Sequence, residues 1–189
     1  MKHLPNILTI LRLLLVPCFL GASMEGMFVV AFVIFVSAAV TDILDGMIAR
    51  RWNVKSRLGA LLDPAADKTL MVCGFLYYTF GDNVTRLPLP GWLTFTVFIR
   101  DFLIAFFAYV MWTRIHITRF PPSIPGKIST VLQAVTLATT IAVNAFLPQL
   151  FLFAELLFRL SLLMTLFSGW GYMRRASLLL HEEGAPARA

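Results

Sequence analysis

Acidic residues are scarce in this chain: ten Asp and Glu in 189 residues, against sixteen Lys and Arg. Charged residues make up 14% in all, where an ordinary soluble domain carries about a quarter, and hydrophobic residues fill 59%. So little charge excludes a disordered segment, which needs polarity to stay solvated. Cysteine is nearly absent as well. Cys18 and Cys73 each stand alone in an apolar run, with no second Cys or His at metal-ligand spacing, which excludes a secreted disulfide scaffold and a thiolate metal site. Both read as small hydrophobes. The basic residues are not gathered into an aromatic-interleaved stripe, so the net charge of +6 does not point to nucleic acid. A mean hydropathy of +0.80 sets the chain apart from ordinary cytosolic enzymes and leaves the integral membrane class.

What fills the sequence is a series of apolar runs, each near the length of about 20 residues that crosses a bilayer as a helix. They cover 7–23, 27–49, 58–80, 92–112, 128–147 and 150–172. The first resembles a signal peptide, but Arg12 sits in its middle and no small-residue cleavage site follows, so it reads as a retained span. Lys and Arg crowd the N-terminus, the loop with Arg50, Arg51, Lys55 and Arg57, the loop with Arg114, Arg119 and Lys127, and the tail with Arg174 and Arg175; the opposite loops hold only Arg86. Positive residues mark the cytoplasmic side. The expected fold is therefore all-α: an integral membrane bundle of six transmembrane helices with both termini cytoplasmic. Residues 1–180 form one domain, and 181–189 form a polar, frayed tail.

Against that apolar background, the ionisable residues at membrane depth stand out: Arg12, Asp42, Asp45, Asp63, Asp67, Lys68, Arg100, Asp101, Glu155 and Arg159. Each charge at mid-bilayer costs roughly 2.5 to 3.5 kcal/mol. Asp42 and Asp45 are three apart, and Asp63 and Asp67 four apart, so each pair shares a helical face. A helical hairpin through the basic loop would bring the pairs together. Four carboxylates without a cation would repel one another, and hard oxygen ligands suit Mg²⁺ or Mn²⁺, two of which would neutralise all four. Internal salt bridges to Lys68, Arg50 and Arg12 are the structural alternative.

The full pattern is Asp42, Asp45-Gly46, Ala49-Arg50, Gly59, Asp63 and Asp67, with fixed gaps over 26 residues. In residue type and spacing it resembles the signature of the CDP-alcohol phosphotransferase family at all eight positions. The opening stretch from Leu4 to Arg12 is similar to the start of its bacterial phospholipid-synthesising members. The resemblance implies transfer of a substituted phosphate from a CDP-linked donor, CDP-diacylglycerol, to an alcohol, with release of CMP. It implies two divalent cations held by Asp42, Asp45, Asp63 and Asp67, with Asp67 also the base toward the acceptor hydroxyl. It further implies a donor site of Asp42, Gly46, Ala49, Arg50 and Gly59, where small residues allow close approach and Arg50 meets phosphate or carboxylate.

For an anionic acceptor the candidates are Arg100 and Lys127. Gly126-Lys127 is similar to a Gly-Lys pair of glycerophosphate-transferring members, while Ser129 stands where those carry lysine. Arg100-Asp101 before an apolar run is closer to the cardiolipin-making members, which use phosphatidylglycerol. Glycerol 3-phosphate is the expected acceptor, phosphatidylglycerol the runner-up. Arg100 can also serve a local salt bridge with Asp101 or Glu155. A small cation transporter is the reading from another class, but the spacing through Arg50 and Gly59 has no role in a carrier. The lipid bilayer is the expected surrounding and the bacterial inner membrane the expected location, with the active site on the cytoplasmic side. The resemblance leaves room for a homodimer.

Overall fold

A computed structural model of the chain describes residues 4–52, 57–84, 86–115 and 124–184. Among them every regular element is helical: α1 Leu4–Met24, α2 Phe28–Trp52, α3 Arg57–Phe80, α4 Gly91–Ile115, α5 Ile124–Ala145 and α6 Phe151–Gly184, with a 3₁₀ turn at Pro148–Leu150 before α6. The six helices fall on the six apolar runs. Two of the stretches, Ile124–Ala145 and Pro148–Arg174, are long and apolar enough to cross a membrane, and Leu11–Met24 and Phe28–Thr41 are shorter apolar stretches. Helix α5 starts four residues earlier than its apolar run because Pro125, at its second position, has the preset φ that opens a helix. Helix α6 differs more: it continues past the end of its apolar run at 172, through Arg174 and Arg175, to Gly184. Ala176 and Leu178 to Leu180 are strong helix formers, and they outweigh the rising polarity of this segment.

Packing divides the chain into two units, one of Met1–Leu89 with Leu137–Ala154, the other of Pro90–Thr136 with Glu155–Ala189. In the first, α1 packs against both α2 and α3. Its buried stripe repeats every three or four residues: Arg12, Val16, Phe19 and Ser23. On α2 the buried residues are Ala31, Phe35 and Ala38, and on α3 Leu70, Phe75 and Tyr78. Phe19 lies at the centre, its ring 6.0 Å from Phe35 and 6.4 Å from Tyr78.

The turn from α1 to α2 is closed by backbone hydrogen bonds from Gly26 N–H to the Ser23 carbonyl and from Met27 N–H to the Ala22 carbonyl. Gly26 takes φ +73°, the left-handed conformation that ends a helix this way and that side chains disfavour. Other freed carbonyls of α1 are met from α3 and the loop after it. The Tyr77 hydroxyl donates to Ser23 at 2.6 Å, and the Asn83 amide donates to Met24. That loop is anchored again by Asn144 of α5, whose side-chain oxygen accepts from the Arg86 and Leu87 amides at 3.3 Å. Its nitrogen donates to the Leu87 and Thr140 carbonyls at 2.9 Å. Asn144→Ala strands these loop groups in a buried place and is expected to cost about 2 kcal/mol, read as a lower melting temperature in detergent.

In the second unit the polarity is inverted relative to a soluble protein. Hydroxyls and amides lie inside: Ser129 and Thr165 share a hydrogen bond of 3.2 Å, Gln133 Nε2 donates to both, and Thr136 and Ser161 meet at 2.6 Å. Outside, α6 exposes Leu156, Leu163, Phe167 and Trp170, and α4 exposes Phe95, Ile99 and Phe102. A water-soluble monomer does not display contiguous apolar faces of this extent. In lipid, by contrast, small polar residues between helices are a common way to hold them together.

Candidate active site

The four aspartates lie on the two helices that α1 holds. Asp42 and Asp45 belong to the later half of α2, and Asp63 and Asp67 to the first half of α3. The helical repeat that buries Ala31, Phe35 and Ala38 on α2 next reaches positions 42 and 45. On α3, counting back from Tyr78 and Leu70, it reaches 67 and 63. The side chains of 42–67, and with them the carboxylates and the expected donor positions Gly46, Ala49, Arg50 and Gly59, lie outside the described residues. These aspartates are the only acidic residues on α1, α2 and α3.

Carboxylate oxygens are hard ligands, and a set of four without imidazole or thiolate fits Mg²⁺ or Mn²⁺ better than zinc. Among the described residues, which do not include these side chains, no group of three or more His, Cys, Asp or Glu is placed to hold a metal. The residue types of the four aspartates fit divalent ions.

The acid pattern on this all-helical frame agrees with a match of residues 2–168 to the CDP-alcohol phosphatidyltransferase family. The chain belongs to that family. A Mycobacterium tuberculosis H37Rv protein described as a probable phosphatidylglycerophosphate synthase is 33% identical over 181 residues, covering 92% of this chain and 81% of that one. A CDP-diacylglycerol–glycerol-3-phosphate 3-phosphatidyltransferase of Rickettsia typhi is 29% identical over 185 residues, 92% of this chain and 97% of its own length. A CMP-forming cardiolipin synthase of Rattus norvegicus is 34% identical over 159 residues, 76% of this chain and 51% of that protein. This CDP-alcohol phosphatidyltransferase is thus an enzyme of phospholipid synthesis.

Of the two acceptor candidates in the phosphatidyltransferase, Arg100 on α4 is buried and Lys127, in the first turn of α5, is exposed. The Arg100 guanidinium donates from Nη1 to Asp101 Oδ1 and from Nη2 to Ser168 Oγ, each at 2.7 Å. Its Nε is buried with no hydrogen-bond partner among the described residues. The local salt bridge to Asp101 is therefore formed, and one donor remains. Arg159 is exposed and pairs with Glu155 one turn back, at 3.9 Å.

Arg12, singled out in the sequence as an ionisable group inside an apolar run, is 2% exposed on the helix that touches both aspartate helices. The hydroxyl seam is the feature that hydropathy and charge alone do not reveal. Its signal is the spacing of Ser161, Thr165 and Ser168 on α6 and of Ser129, Gln133, Thr136 and Thr140 on α5, each a stripe of polar groups at helical repeat inside an apolar run.

Proposed function

We propose that this phosphatidyltransferase crosses a bacterial inner membrane as six helices with both termini cytoplasmic. It acts there as a single catalytic domain, moving the phosphatidyl group of CDP-diacylglycerol to glycerol 3-phosphate. The acceptor hydroxyl oxygen forms a new bond to the diacylglycerol-linked phosphorus, the bond from that phosphorus to the CMP oxygen breaks, and phosphatidylglycerophosphate and CMP leave. The observation that carries this is the eight-position pattern on α2 and α3, four of its positions aspartate, within a chain that relatives named for this transfer match over most of its length. The apolar outer faces of α4 and α6 support the membrane setting and suit a donor with two acyl chains.

In this reading Asp42, Asp45, Asp63 and Asp67 hold two divalent cations, which when bound neutralise the donor pyrophosphate and steady the attacking and leaving oxygens. Asp67 takes the proton of the acceptor hydroxyl. Arg50 faces the donor phosphates, while Asp42, Gly46, Ala49 and Gly59 shape the cytidine side. Lys127 and the free Nε of Arg100 bind the acceptor phosphate, with the α5 N-terminus adding its positive dipole near Lys127.

The test is CMP release by the detergent-purified protein with Mg²⁺ or Mn²⁺, offering glycerol 3-phosphate, phosphatidylglycerol, serine and inositol phosphate in parallel, with Asp63→Asn as the control. Release with glycerol 3-phosphate, lost in the control, is the expected result. Phosphatidylglycerol is the second reading, favoured by the Arg100–Asp101 pair that engages much of the guanidinium; release with it alone would make the enzyme a cardiolipin synthase. Lys127→Gln is expected to raise KM for glycerol 3-phosphate about tenfold, the worth of one charge-assisted hydrogen bond, while KM for CDP-diacylglycerol stays put.

A further inference from the structure

The most deeply buried ionic side chain in the described structure is one the reaction as written does not use. Arg12 is 2% exposed, in line with Val16, Phe19 and Ser23 on the face α1 turns to its neighbours. A guanidinium taken out of water needs a nearby negative charge. Two contacts set its height. The turn at Gly26 makes α1 and α2 antiparallel, and Phe19 meets Phe35 across that pair. Seven residues back from Phe19 is Arg12, and seven on from Phe35 is Asp42, so two turns from the ring contact the same stripes carry a base and an acid. Helices α1 and α3 are parallel, and Ser23 accepts from Tyr77 near their C-terminal ends. Eleven residues back from Ser23 is Arg12, and ten back from Tyr77 is Asp67. Both registers place the buried cation level with an acidic position, and α1, α2 and α3 carry no other acids than the four aspartates.

We infer that Arg12 is a positioning residue, the internal counter-charge of Asp42 and Asp67. It offsets the mutual repulsion of the carboxylates when no cation is bound and so keeps them at the spacing the ions then occupy. Divalent cations take over most of that neutralisation, so the need for Arg12 is greatest in the metal-free enzyme. The inference rests on the reading of these aspartates as the metal site.

The experiment is a double-mutant cycle in melting temperature, measured on the full chain in detergent with EDTA and with saturating Mn²⁺, over the unmodified protein, Arg12→Met, Asp42→Asn and the double variant. Arg12→Met is expected to lower the metal-free melting temperature by about 10 °C. The loss should shrink to less than half in Mn²⁺ and to less than half in the Asp42→Asn background, while Arg12→Lys keeps most of the stability. An equal loss in both backgrounds would overturn the inference and leave Arg12 a packing residue. If Arg12→Met gives no folded protein, recovery of folding in Arg12→Met/Asp42→Asn supports it, and failure of the double variant overturns it. The metal reading is tested separately in the same data: without a Mn²⁺-dependent rise in the unmodified protein that reading falls, whatever the cycle shows.

Discussion

Asp67→Asn is expected to slow CMP release about a thousandfold, close to 4 kcal/mol of barrier, with CDP-diacylglycerol binding reduced far less. The amide keeps the size of the side chain and one oxygen able to ligate, but it has no basic lone pair to take the acceptor's proton. Asp63→Asn should be at least as damaging for another reason. It removes charge from a site whose work is to offset the donor's, and metal affinity should fall along with turnover. Equilibrium Mn²⁺ binding, followed by the electron paramagnetic resonance of free Mn²⁺ and measured beside CMP release, separates the two. Asp63→Asn is expected to lose both signals, whereas Asp67→Asn keeps more of its Mn²⁺ binding than of its turnover. Turnover within a few-fold of the unmodified enzyme in Asp67→Asn with metal present would remove Asp67 from the base role.

Arg100→Met is expected to destabilise the protein by about 3 kcal/mol, lowering the melting temperature by roughly 6 to 12 °C. The guanidinium spans Asp101 and Ser168 in a place where its side chain is 9% exposed and that of Asp101 20%. Removing it takes the cation away from the Asp101 carboxylate and a donor from the Ser168 hydroxyl. Arg100→Met/Asp101→Asn should regain a good part of the loss, since a neutral amide depends less on a neighbouring cation than a carboxylate does. Arg100→Lys is the informative intermediate. It keeps the charge but cannot reach two partners as a planar fork, and it has no counterpart to Nε. If that buried Nε binds the acceptor phosphate, KM for glycerol 3-phosphate rises in Arg100→Lys more than its stability loss would suggest. An unchanged KM would leave Arg100 with the salt bridge alone.

The helices were legible because an apolar run long enough to cross a bilayer has few alternatives to helix, so the runs around Phe35, Phe102 and Leu163 announced themselves. Their ends were less so: the start of α5 is set by Pro125 and the end of α6 by helix formers beyond Arg175, local effects that hydropathy does not record. The aspartates stand out in the sequence for the opposite reason: a carboxylate is costly inside an apolar run, and their spacing adds a pattern that an accidental cluster lacks. Arg100 next to Asp101 could be read as a pair, but Ser168, sixty-eight residues away, could not. The same holds for Thr165 and Gln133, whose pairing depends on how α5 lies along α6, and for Asn144, which looks like a stray amide until the loop folds onto it. Tertiary alignment decides such polar contacts, and one strand of sequence does not contain it.

Helix α6 has 34 residues, about 51 Å of continuous helix, whereas the hydrocarbon layer is about 30 Å thick. In a membrane some 20 Å of it must stand outside as a post, with Arg174 and Arg175 at headgroup height and Glu182 and Glu183 toward its tip. A post of unbroken helix has a fixed azimuth as well as a fixed height. A probe attached near Gly184 is therefore indexed to the span below it, and each residue inserted along the post turns that probe by about 100° and lifts it by about 1.5 Å.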